Sequence, residues 1–511
     1  MYKPKAKQVR EYITNKGELL LYRGNPNFAM LDNLADGPGH LWHSSLDQGF
    51  RDAFQELVYQ TATFWWFIND FSDLPRCISW RVNPNEFVIR SSAWSLLGGF
   101  DDDYQGDFSK GIEIGYCLLR ELGGVPLHIE HLFPKSENTV EISTYDRYLF
   151  YRKHFKEYHS KYMLLRQPLL NWHDEIWNFI QVKNININFR NKRFLPLKKL
   201  NPIDDGLSVC VVIPTMFRQA YTRRLLEDYR QQTYLPKKII VVDATPLEYR
   251  DESIYDLELP FDFILIWQIS EGSCRARNEA LVHCDGDFVI FGDDDIRIPP
   301  DFVENHLRFL ITYNADGCNG RDIRAKHHTN NLSDLQSYLS ESGLSEQKSG
   351  VAQQFSNANS CVKMNWVRQI RGNDINFDGG YGEDSDFGLR LLKSGAVLMY
   401  NPFAVNLHLK PPAGGYRFWG NENKVQKPWE LGAPLKRLKP VPSPTIMYYI
   451  MKHFTFRQIK EYKYKYFLLY FINAKRSQIG KRAFNIFKKI KQYNLSQWYA
   501  SQLIQRGERY E

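Results

Sequence analysis

The chain has 511 residues, of which 43% are hydrophobic and 15% aromatic, and its formal net charge is +8. At ~150 residues per domain, this length predicts two or three domains with apolar cores, which excludes a disordered or fibrous chain. The charge is uneven: residues 436–511 hold 17 Lys and Arg against 3 Asp and Glu, and the remainder sums to −6.

Cysteine usage and hydropathy indicate the compartment. The seven cysteines are scattered and never form a CxxC pair, which argues against a disulfide framework or a zinc knuckle and favours a reducing compartment. The N-terminal sequence MYKPKAKQVREYITNKGELLLY lacks the apolar core of a signal peptide. No apolar run approaches the ~20 residues that a membrane helix needs. We therefore expect a cytoplasmic protein.

The first region, residues 1–185, has the weakest pattern. It contains an aromatic cluster, FWWFINDF at 64–71, and a stretch rich in Tyr, Lys and His at 145–175 that predicts helices. A polar segment with prolines follows at 186–206 and is typical of a linker. We expect an N-terminal α+β region, this linker, and a second domain over 207–434.

The second region alternates strands and helices. It begins with LSVCVVIPT at 207–215, a β-branched run that is typical of a buried parallel strand. Further strands are predicted at 237–245 and 287–295, and helices at 221–233 and, capped by its first serine, at 273–284. This alternation predicts a doubly wound α/β sheet.

Polar residues end the predicted strands, where sheets of this kind bind ligands. Thr215 and Asp243 end two strands, and Asp293, Asp294 and Asp295 follow the third. Three adjacent carboxylates form either a polar turn or a metal site. Mg²⁺ and Mn²⁺ prefer oxygen ligands, and a D-x-D pair at a strand end can share one ion, which favours the metal.

A second acidic cluster lies in NFDGGYGEDSDFGLRLLKSG at 376–395. Glu383, Asp384 and Asp386 begin a predicted helix after a glycine-rich loop, where acidic residues are favourable in any protein through the helix dipole. A carboxylate at such a position can also serve as a general base. His408, at the end of a predicted strand–turn–strand over 396–410, is either structural or a further metal ligand.

Residues 207–412 resemble the family 2 glycosyltransferases with a GT-A fold. The motifs that carry the resemblance occur in the family's order: VVIPTMFR, IIVVDAT, GSCRARNEAL, FVIFGDDD, GGYGEDSDFGLRLL and HLK. It implies an α/β fold with a Rossmann-like, mostly parallel central sheet. The segment VVDAT departs from the commoner family form after its aspartate, which weakens the expected base contacts there.

The resemblance implies an inverting hexosyl transfer that depends on Mn²⁺ or Mg²⁺. The donor is expected to be a UDP-linked sugar, and the acceptor a hydroxyl of a glycan or lipid-linked oligosaccharide in cell-surface polysaccharide assembly. Asp384 would be the base, and the metal ligands would be Asp293, Asp295 and His408. The expected substrate-binding residues are Thr215, Arg218, Asp243, Arg275, Arg277, Asn278, Asp294, Gly380 and Glu383. A catalytically silent nucleotide- or sugar-binding protein of the same fold is the alternative.

Residues 80–130 resemble a degenerate partial copy of the same family. Aligning IEIGYCLL with SDFGLRLL places Lys110 and Gly111 where Glu383 and Asp384 stand, so the base is missing. The copy is either a decayed module used for acceptor binding or assembly, or an active second transferase with unfamiliar motifs.

The basic, aromatic tail at 435–511 predicts helices and has three interpretations. It could bind an anionic membrane surface, bind nucleic acid through phosphates, or pack on the preceding domain. The acidic character of the rest of the chain argues against nucleic acid, and a membrane-surface role fits an enzyme that acts on a lipid-linked glycan.

Overall fold

The computed structural model describes residues 9–60, 66–71, 73–136, 140–185, 193–203, 206–327, 331–341, 348–416, 429–430, 438–473 and 475–511. Part of the aromatic cluster at 64–71 and part of the predicted linker at 186–206 lie outside these ranges. The described chain forms two sheets that are covered by helices, and a helical C-terminal region.

The N-terminal region is built on a six-stranded sheet. Its strands are β1 (Arg10–Ile13), β2 (Leu19–Arg23), β3 (Leu41–His43), β4 (Arg76–Ile78), β5 (Phe87–Arg90) and β6 (Pro126–Ile129). Its helices are α1 (Leu31–Ala35), α2 (Ser91–Leu97), α3 (Asp107–Arg120), α4 (Thr144–His154), α5 (Glu157–Arg166) and α6 (Trp172–Lys183). The strand order is β1-β2-β5-β3-β6-β4, and of these pairs β3–β6 is parallel. The expected α+β character is confirmed.

The central region contains the expected α/β sheet. Its strands are β7 (Val209–Thr215), β8 (Lys238–Asp243), β9 (Asp262–Trp267), β10 (Phe288–Gly292), β11 (Ile296–Arg297), β12 (Gly317–Arg324), β13 (Asn359–Lys363) and β14 (Leu398–His408). Its helices are α7 (Gln219–Arg230), α8 (Ser273–Leu281), α9 (Phe302–Tyr313), α10 (Asp334–Glu341), α11 (Met364–Gln369) and α12 (Glu383–Lys393). The order is β11-β14-β12-β13-β10-β7-β8-β9.

The strands that end in polar residues belong to the parallel half of this sheet. β10, β7, β8 and β9 run parallel in that order, and β7 and β10 are wholly buried. Their β-branched sequences suit such a position because both faces are covered by helices. The carboxyl ends of β7, β8 and β10 therefore meet at one edge, as predicted.

Two local expectations were wrong, and one strand was missed. The strand β9 was not predicted. The segment 396–410 is one long strand, β14, whose register against β12 shifts between Asn319 and Arg321 instead of breaking at a turn. Ser273 does not cap α8 but is its first residue, and the N–H of Cys274 donates instead to the carboxylate of Asp378 at 2.7 Å. Each depends on a partner that is distant in sequence.

The tail forms helices α13 (Pro444–His453), α14 (Phe456–Ile472), α15 (Ile479–Phe484) and α16 (Ile486–Arg506), which pack on both other regions. In α14, the buried carboxylate of Glu461 accepts from Arg166 of α5 at 3.2 Å. After α16 the chain returns to the central region, where the N–H of Ile375 donates to the carbonyl of Arg509 at 2.8 Å. Within the described residues, no helix is both long and apolar enough to cross a membrane.

An internal repeat relates the N-terminal region to the second half of the chain. β3 pairs antiparallel with β5 and parallel with β6, just as β12 pairs with β13 and β14. Two helices follow β5 and β13 in each set, namely α2–α3 and α11–α12. The repeat extends into the tail, since α4 and α13 both end at the histidine of a KHF sequence. We call 87–166 the first repeat and 359–472 the second repeat.

The three regions share buried contacts. Arg76 of β4 pairs with Asp316, just before β12, at 2.5 Å. Residues 193–203 of the predicted linker lie along α9, where the N–H of Lys198 donates to Tyr313 at 2.9 Å. All seven cysteines are buried and reduced.

Candidate active site

Five segments bring charged side chains to one small cavity at the carboxyl end of β10. Its volume is about 180 Å³, and its lining includes Arg218, Arg277, Asp293, Asp294, Asp295, Glu383, Asp384 and His408. The three aspartates follow β10, Arg218 precedes α7, Arg277 lies on α8, the pair Glu383–Asp384 begins α12, and His408 ends β14. Acidic groups that are far apart in sequence therefore converge, as the motif order predicts.

Asp293, Asp295 and His408 have the geometry of a cation site. Each offers one ligand atom, and these atoms lie within 4.8 Å of one another. Five carboxylates line the cavity against two guanidinium groups and one imidazole, so its charge is negative even when the imidazole is protonated. Carboxylate oxygens and an imidazole suit Mn²⁺ or Mg²⁺, and a divalent ion would offset the excess negative charge.

Arg218 neutralises the two inner aspartates. One of its guanidinium nitrogens, Nη1, lies 3.0 Å from Asp294 Oδ1 and 2.8 Å from Asp295 Oδ2. Burial raises the pKa of Asp294 to about 7, although the charge of Arg218 acts in the opposite direction. Thr215 donates to Asp294 at 2.8 Å, so this aspartate is held by the protein and faces the cavity less freely than its neighbours.

His408 is oriented by a residue that the sequence did not reveal. Its Nε2 lies 3.3 Å from Asp295 Oδ1, and its Nδ1 lies 3.2 Å from Asp322 on β12. Burial lowers the pKa of His408, but hydrogen bonds to both carboxylates outweigh it and raise the pKa to about 11. A carboxylate behind an imidazole fixes its tautomer and direction, as it does behind metal-binding histidines. The parallel pairing of β12 with β14 produces this contact.

A larger cleft adjoins the charged cavity. Its volume is about 970 Å³, and Glu383 and Asp384 line both spaces. All three regions contribute to its lining, with Arg120 from α3, Ser356 before β13 and Ile446 from α13. The carboxylates at the start of α12 therefore stand at the junction of the two.

Asp384 is positioned by an amide. Asn357, which is 1% exposed, donates from Nδ2 to Asp384 Oδ1. Gly382 precedes the helix with φ of 104°, a conformation that favours glycine. The turn and the amide together fix where the carboxylate enters the junction.

A short segment covers the charged cavity. Gly414, Gly415 and Tyr416 belong to its lining, the N–H of Gly415 donates to the carbonyl of Met216 at 2.7 Å, and Arg218 Nε donates to Ala413 at 3.2 Å. Ligand pockets usually measure ~300–1,000 Å³, so the charged cavity alone is smaller than a usual ligand pocket.

Several residues predicted for substrate binding do not line either cavity. Asp243 is fully buried and accepts from Gln219 at 3.0 Å and Tyr255 at 2.8 Å. Arg275 donates to the carbonyl of Glu511 at 3.0 Å, on the side of α8 that faces the chain after α16. Thr215 is also buried, and within the described part of the chain it contacts the cluster through Asp294.

Two more predicted residues have structural contacts. Asn278 donates to the carbonyl of Asn373 at 2.7 Å and thereby ties α8 to the loop before α12. Gly380 lies against α13, where an added Cβ would be 2.4 Å from Thr445 Oγ1, so its lack of a side chain permits helix packing. Of the predicted residues on α8, the structure brings Arg277 to the cluster, where it donates to Asp293 at 2.7 Å.

Comparison with known proteins identifies part of the chain. The family model described as Glycosyl transferase family 2 matches residues 210–369. The chain is 30% identical over 115 residues to Glycosyltransferase GlyA of Streptococcus pneumoniae, covering 22% of this chain and 16% of that protein. It is 27% identical over 210 residues to Pre-mycofactocin glycosyltransferase of Mycobacterium tuberculosis, covering 39% and 42%. The chain thus spans less than half the length of these relatives.

Solved structures with some similarity include S. aureus TarS 1–349 in complex with UDP-GlcNAc, at 14% identity and a TM-score of 0.36, covering 58% of this chain and 92% of that one. Another is GalNAc-T7 with UDP, GalNAc and Mn²⁺, at 10% identity and a TM-score of 0.34, covering 41% and 45%. The family model gives the assignment: residues 210–369, within the α/β region of the chain, match Glycosyl transferase family 2.

Proposed function

We propose that the protein is an inverting, divalent-metal-dependent glycosyltransferase. It moves a hexosyl group from a nucleotide-diphosphate sugar, with UDP as the nucleotide, to a hydroxyl of a glycan or lipid-linked oligosaccharide in cell-surface polysaccharide assembly. The reaction takes place in the cytoplasm, at the inner face of the cell membrane.

The placement of Asp384 carries this proposal. A transferase must hold its donor and acceptor in adjoining spaces with a base between them. The charged cavity suits the diphosphate of a donor, the larger cleft suits a glycan, and Asp384 lines both. A protein that only bound a nucleotide sugar would not need a carboxylate at this junction.

The chemistry follows from one base on the acceptor side. Asp384 takes the proton of the acceptor hydroxyl while its oxygen bonds to the anomeric carbon, and the bond from that carbon to the diphosphate oxygen breaks. A single displacement of this kind inverts the anomeric centre. Asn357 orients the carboxylate of Asp384 during the proton transfer.

The residues present fit a metal ion, and each supporting residue has a distinct task. A divalent cation held by Asp293, Asp295 and His408 would neutralise charge on the leaving diphosphate. Arg277 pairs with Asp293 and leaves its other carboxylate oxygen available as a ligand. Arg218 keeps Asp294 and Asp295 compensated before the donor arrives.

We propose that the N-terminal module supports acceptor binding and that its described residues lack the base of a second catalytic centre. In the first repeat, Gly111 occupies the position of Asp384, and an added Cβ would lie 2.3 Å from the carbonyl oxygen of Val82. A carboxylate therefore has no room there. Arg120 and Gly123, which follow on the same module, line the larger cleft. This supports a decayed module that now forms one wall of the acceptor site.

Replacement of Asp384 tests the catalytic proposal. We expect purified protein with Mn²⁺ to transfer sugar from one donor in a screen of nucleotide sugars. Asp384→Asn should lower kcat by ~10²–10⁴-fold, because general-base catalysis contributes that much, while donor affinity by calorimetry stays unchanged. Asp256→Asn, an exposed aspartate of the central region, is the control and should keep full activity.

Two results would count against the proposal. Full transfer by Asp384→Asn would remove its assignment as the base. Donor binding without transfer or hydrolysis by wild-type protein, across all donors with Mn²⁺ and Mg²⁺, would favour a catalytically silent binding protein.

We propose that the tail binds anionic lipid through an exposed apolar and basic surface. Phe484 and Phe487 are 86% and 75% exposed, and Lys481 and Lys488 lie beside them in the chain. Exposed phenylalanines with lysines suit the boundary between lipid headgroups and acyl chains. This surface would place the cleft near a lipid-linked acceptor.

Vesicle sedimentation tests the lipid proposal. We expect binding to phosphatidylglycerol-containing vesicles, weak binding to phosphatidylcholine alone, and loss of binding in Phe484→Ser/Phe487→Ser. Leu170→Ser, which removes a leucine that is 97% exposed on the N-terminal region, is the matched control. Equal sedimentation of the double variant and wild type would locate lipid binding elsewhere.

A further inference from the structure

A second group of metal-ligand side chains lies in the N-terminal module. Glu113 and Cys117 are one helical turn apart on α3, and His154 ends α4. Each offers one ligand atom, and these atoms lie within 4.8 Å of one another. Glu113 and Cys117 are 2% and 1% exposed, and the side chain of His154 is 3% exposed. None of the three lines either cavity of the candidate active site.

The imidazole of His154 points toward the other two ligands. Its Nδ1 lies 2.7 Å from the carboxylate of Glu121, and its Nε2 lies 3.9 Å from Glu113 Oε1, beyond hydrogen-bond distance. Among the described residues, this buried Nε2 has no hydrogen-bond partner. A histidine with one nitrogen held by a carboxylate and the other directed at a carboxylate and a thiol has the arrangement of a metal ligand.

The second repeat contains a matching cluster that is neutralised by cations. Glu113, Cys117 and His154 correspond in sequence to Asp386, Arg390 and His453. In that cluster the buried carboxylate of Asp386 receives Arg390 at 2.7 Å, His453 at 2.8 Å and Lys452 at 2.7 Å.

The first repeat has exchanged or redirected those cations. Cys117 stands where Arg390 would be, and its Sγ lies 2.9 Å from Glu113 Oε1. Lys153, the counterpart of Lys452, pairs instead with Asp101 at 2.6 Å and with Asp103 at 2.7 Å. The positions of Arg390 and Lys452 in the second repeat are therefore taken by a cysteine and by a redirected lysine in the first repeat.

A fourth polar group faces this cluster. Tyr104 is 2% exposed, and its hydroxyl has no hydrogen-bond partner among the described residues. Burial raises its pKa well above the usual value, and the neighbouring Glu113 and Cys117 raise it further. The hydroxyl can donate to a water that completes the coordination of an ion.

We propose that Glu113, Cys117 and His154 bind Zn²⁺. A sulfur, an imidazole nitrogen and a carboxylate oxygen are the ligand types that Zn²⁺ takes in tetrahedral sites, with a water as the fourth ligand. Cys117 loses its thiol proton to solvent on binding, so thiolate, carboxylate and Zn²⁺ sum to zero charge. The ion joins α3 to α4, as the charge cluster around Asp386 joins α12 to α13.

Cobalt substitution tests this site separately from the active site. The full chain is stripped of metal and loaded with Co²⁺, and its near-ultraviolet absorption is measured. A charge-transfer band in this range requires a thiolate ligand on the Co²⁺. We expect this band in wild type and in Asp295→Asn, and its loss in Cys117→Ser. Cys77→Ser, which changes another cysteine that is 1% exposed in the same module, is the matched control and keeps the band.

Zinc content and thermal stability provide further measurements. After dialysis, Asp295→Asn, which lacks a ligand of the active-site cation, should retain one Zn²⁺ per chain and have a higher Tm than stripped protein, and Glu113→Gln in the same background should lose both the ion and the shift. If the folded wild-type protein gives no thiolate band with Co²⁺, the proposal is overturned. This outcome can be observed without any variant. A band that persists in Cys117→Ser would also overturn it.

Discussion

At the scale of single residues, the contact between Asp322 and His408 is the least predictable part of the site. A histidine near the end of a strand gave no indication of its tautomer. The parallel register, which places Asp322 opposite Asn406 and Arg324 opposite His408, brings the carboxylate to Nδ1. His408 is thereby held between two carboxylates, which keeps it protonated; a metal ion bound there would replace the proton.

Metal binding should depend on pH through His408. Its pKa is raised to about 11, so a metal ion must displace a proton at neutral pH. We expect the Kd for Mn²⁺, measured by calorimetry, to fall by about tenfold per pH unit between pH about 6 and 8. Asp322→Asn removes one carboxylate, so its slope should be shallower and its affinity at high pH ~10–100-fold lower. A wild-type Kd that does not change with pH would contradict this.

The same pairing gives the metal-free protein a pH-dependent stability. The pKa of His408 in the folded protein lies above the unfolded value of ~6.5. The ion pairs of His408 therefore contribute fully to the free energy of unfolding below pH ~6.5. This contribution is lost as the pH rises toward about 11.

At the scale of elements, helix α12 depends on a buried charge cluster at its second turn. Asp386 is 0% exposed and is held by Arg390, by Lys452 and by His453. Burial acts to raise the pKa of Asp386, but these partners outweigh it and hold the pKa well below the usual range. The cluster joins α12 to α13 and so fixes the helix that presents Asp384.

Removal of Asp386 should destabilise the fold. Asp386→Ala leaves the cations of Arg390 and Lys452 and the imidazole of His453 without their shared carboxylate, which costs ~3–5 kcal/mol in the free energy of unfolding by urea. The loss should diminish below pH ~4, because the depressed pKa makes this stabilisation fade as the pH falls. Asp262→Ala, an exposed aspartate that begins β9, is the control and should change stability little.

Elements with a strong local pattern were predictable, and contacts that depend on a distant partner were not. We identified from sequence the β-branched runs of β7, β8 and β10 and the acidic start of α12. In each case the local residue types alone indicate that the segment is buried or that a helix begins there. The roles of Arg275 and Asn278 were not, since the residues that they contact lie around 373 and 511. The family resemblance alone suggested that both face the diphosphate or the acidic motif.

The repeat was visible in sequence only in part. The alignment of IEIGYCLL with SDFGLRLL indicated it over residues 80–130, whereas its extension into the tail rests on the short KHF match. The positions of α4 and α13 after equivalent strands make that short match meaningful. A match of three residues carries little weight without the topology around it.

At the scale of the whole molecule, the three regions are packed as one body. A single cluster of buried apolar residues includes Trp80 from the N-terminal region, Val211 from β7 and Tyr448 from α13. The cleft is lined by all three regions as well. Removal of either flanking region would expose apolar surface on the central one.

Unfolding of the full chain should therefore be cooperative. We expect calorimetry to give one transition with a calorimetric-to-van't Hoff enthalpy ratio close to one, in which near-ultraviolet and far-ultraviolet circular dichroism coincide. Two separated transitions would mean that a flanking region folds independently. The central region, expressed alone as 207–434, should be less soluble than the full chain.

Because all seven thiols are buried, their reactivity with labelling reagents measures how often the structure opens. Reagents that modify cysteine reach a side chain only when the structure around it opens, so the rate of labelling measures local and global opening directly. The positions span the first sheet, helices α3 and α8, and strands β7, β12 and β13. A single cysteine introduced at the surface would be labelled selectively, so a fluorophore on the covering segment could follow donor entry in an otherwise native chain.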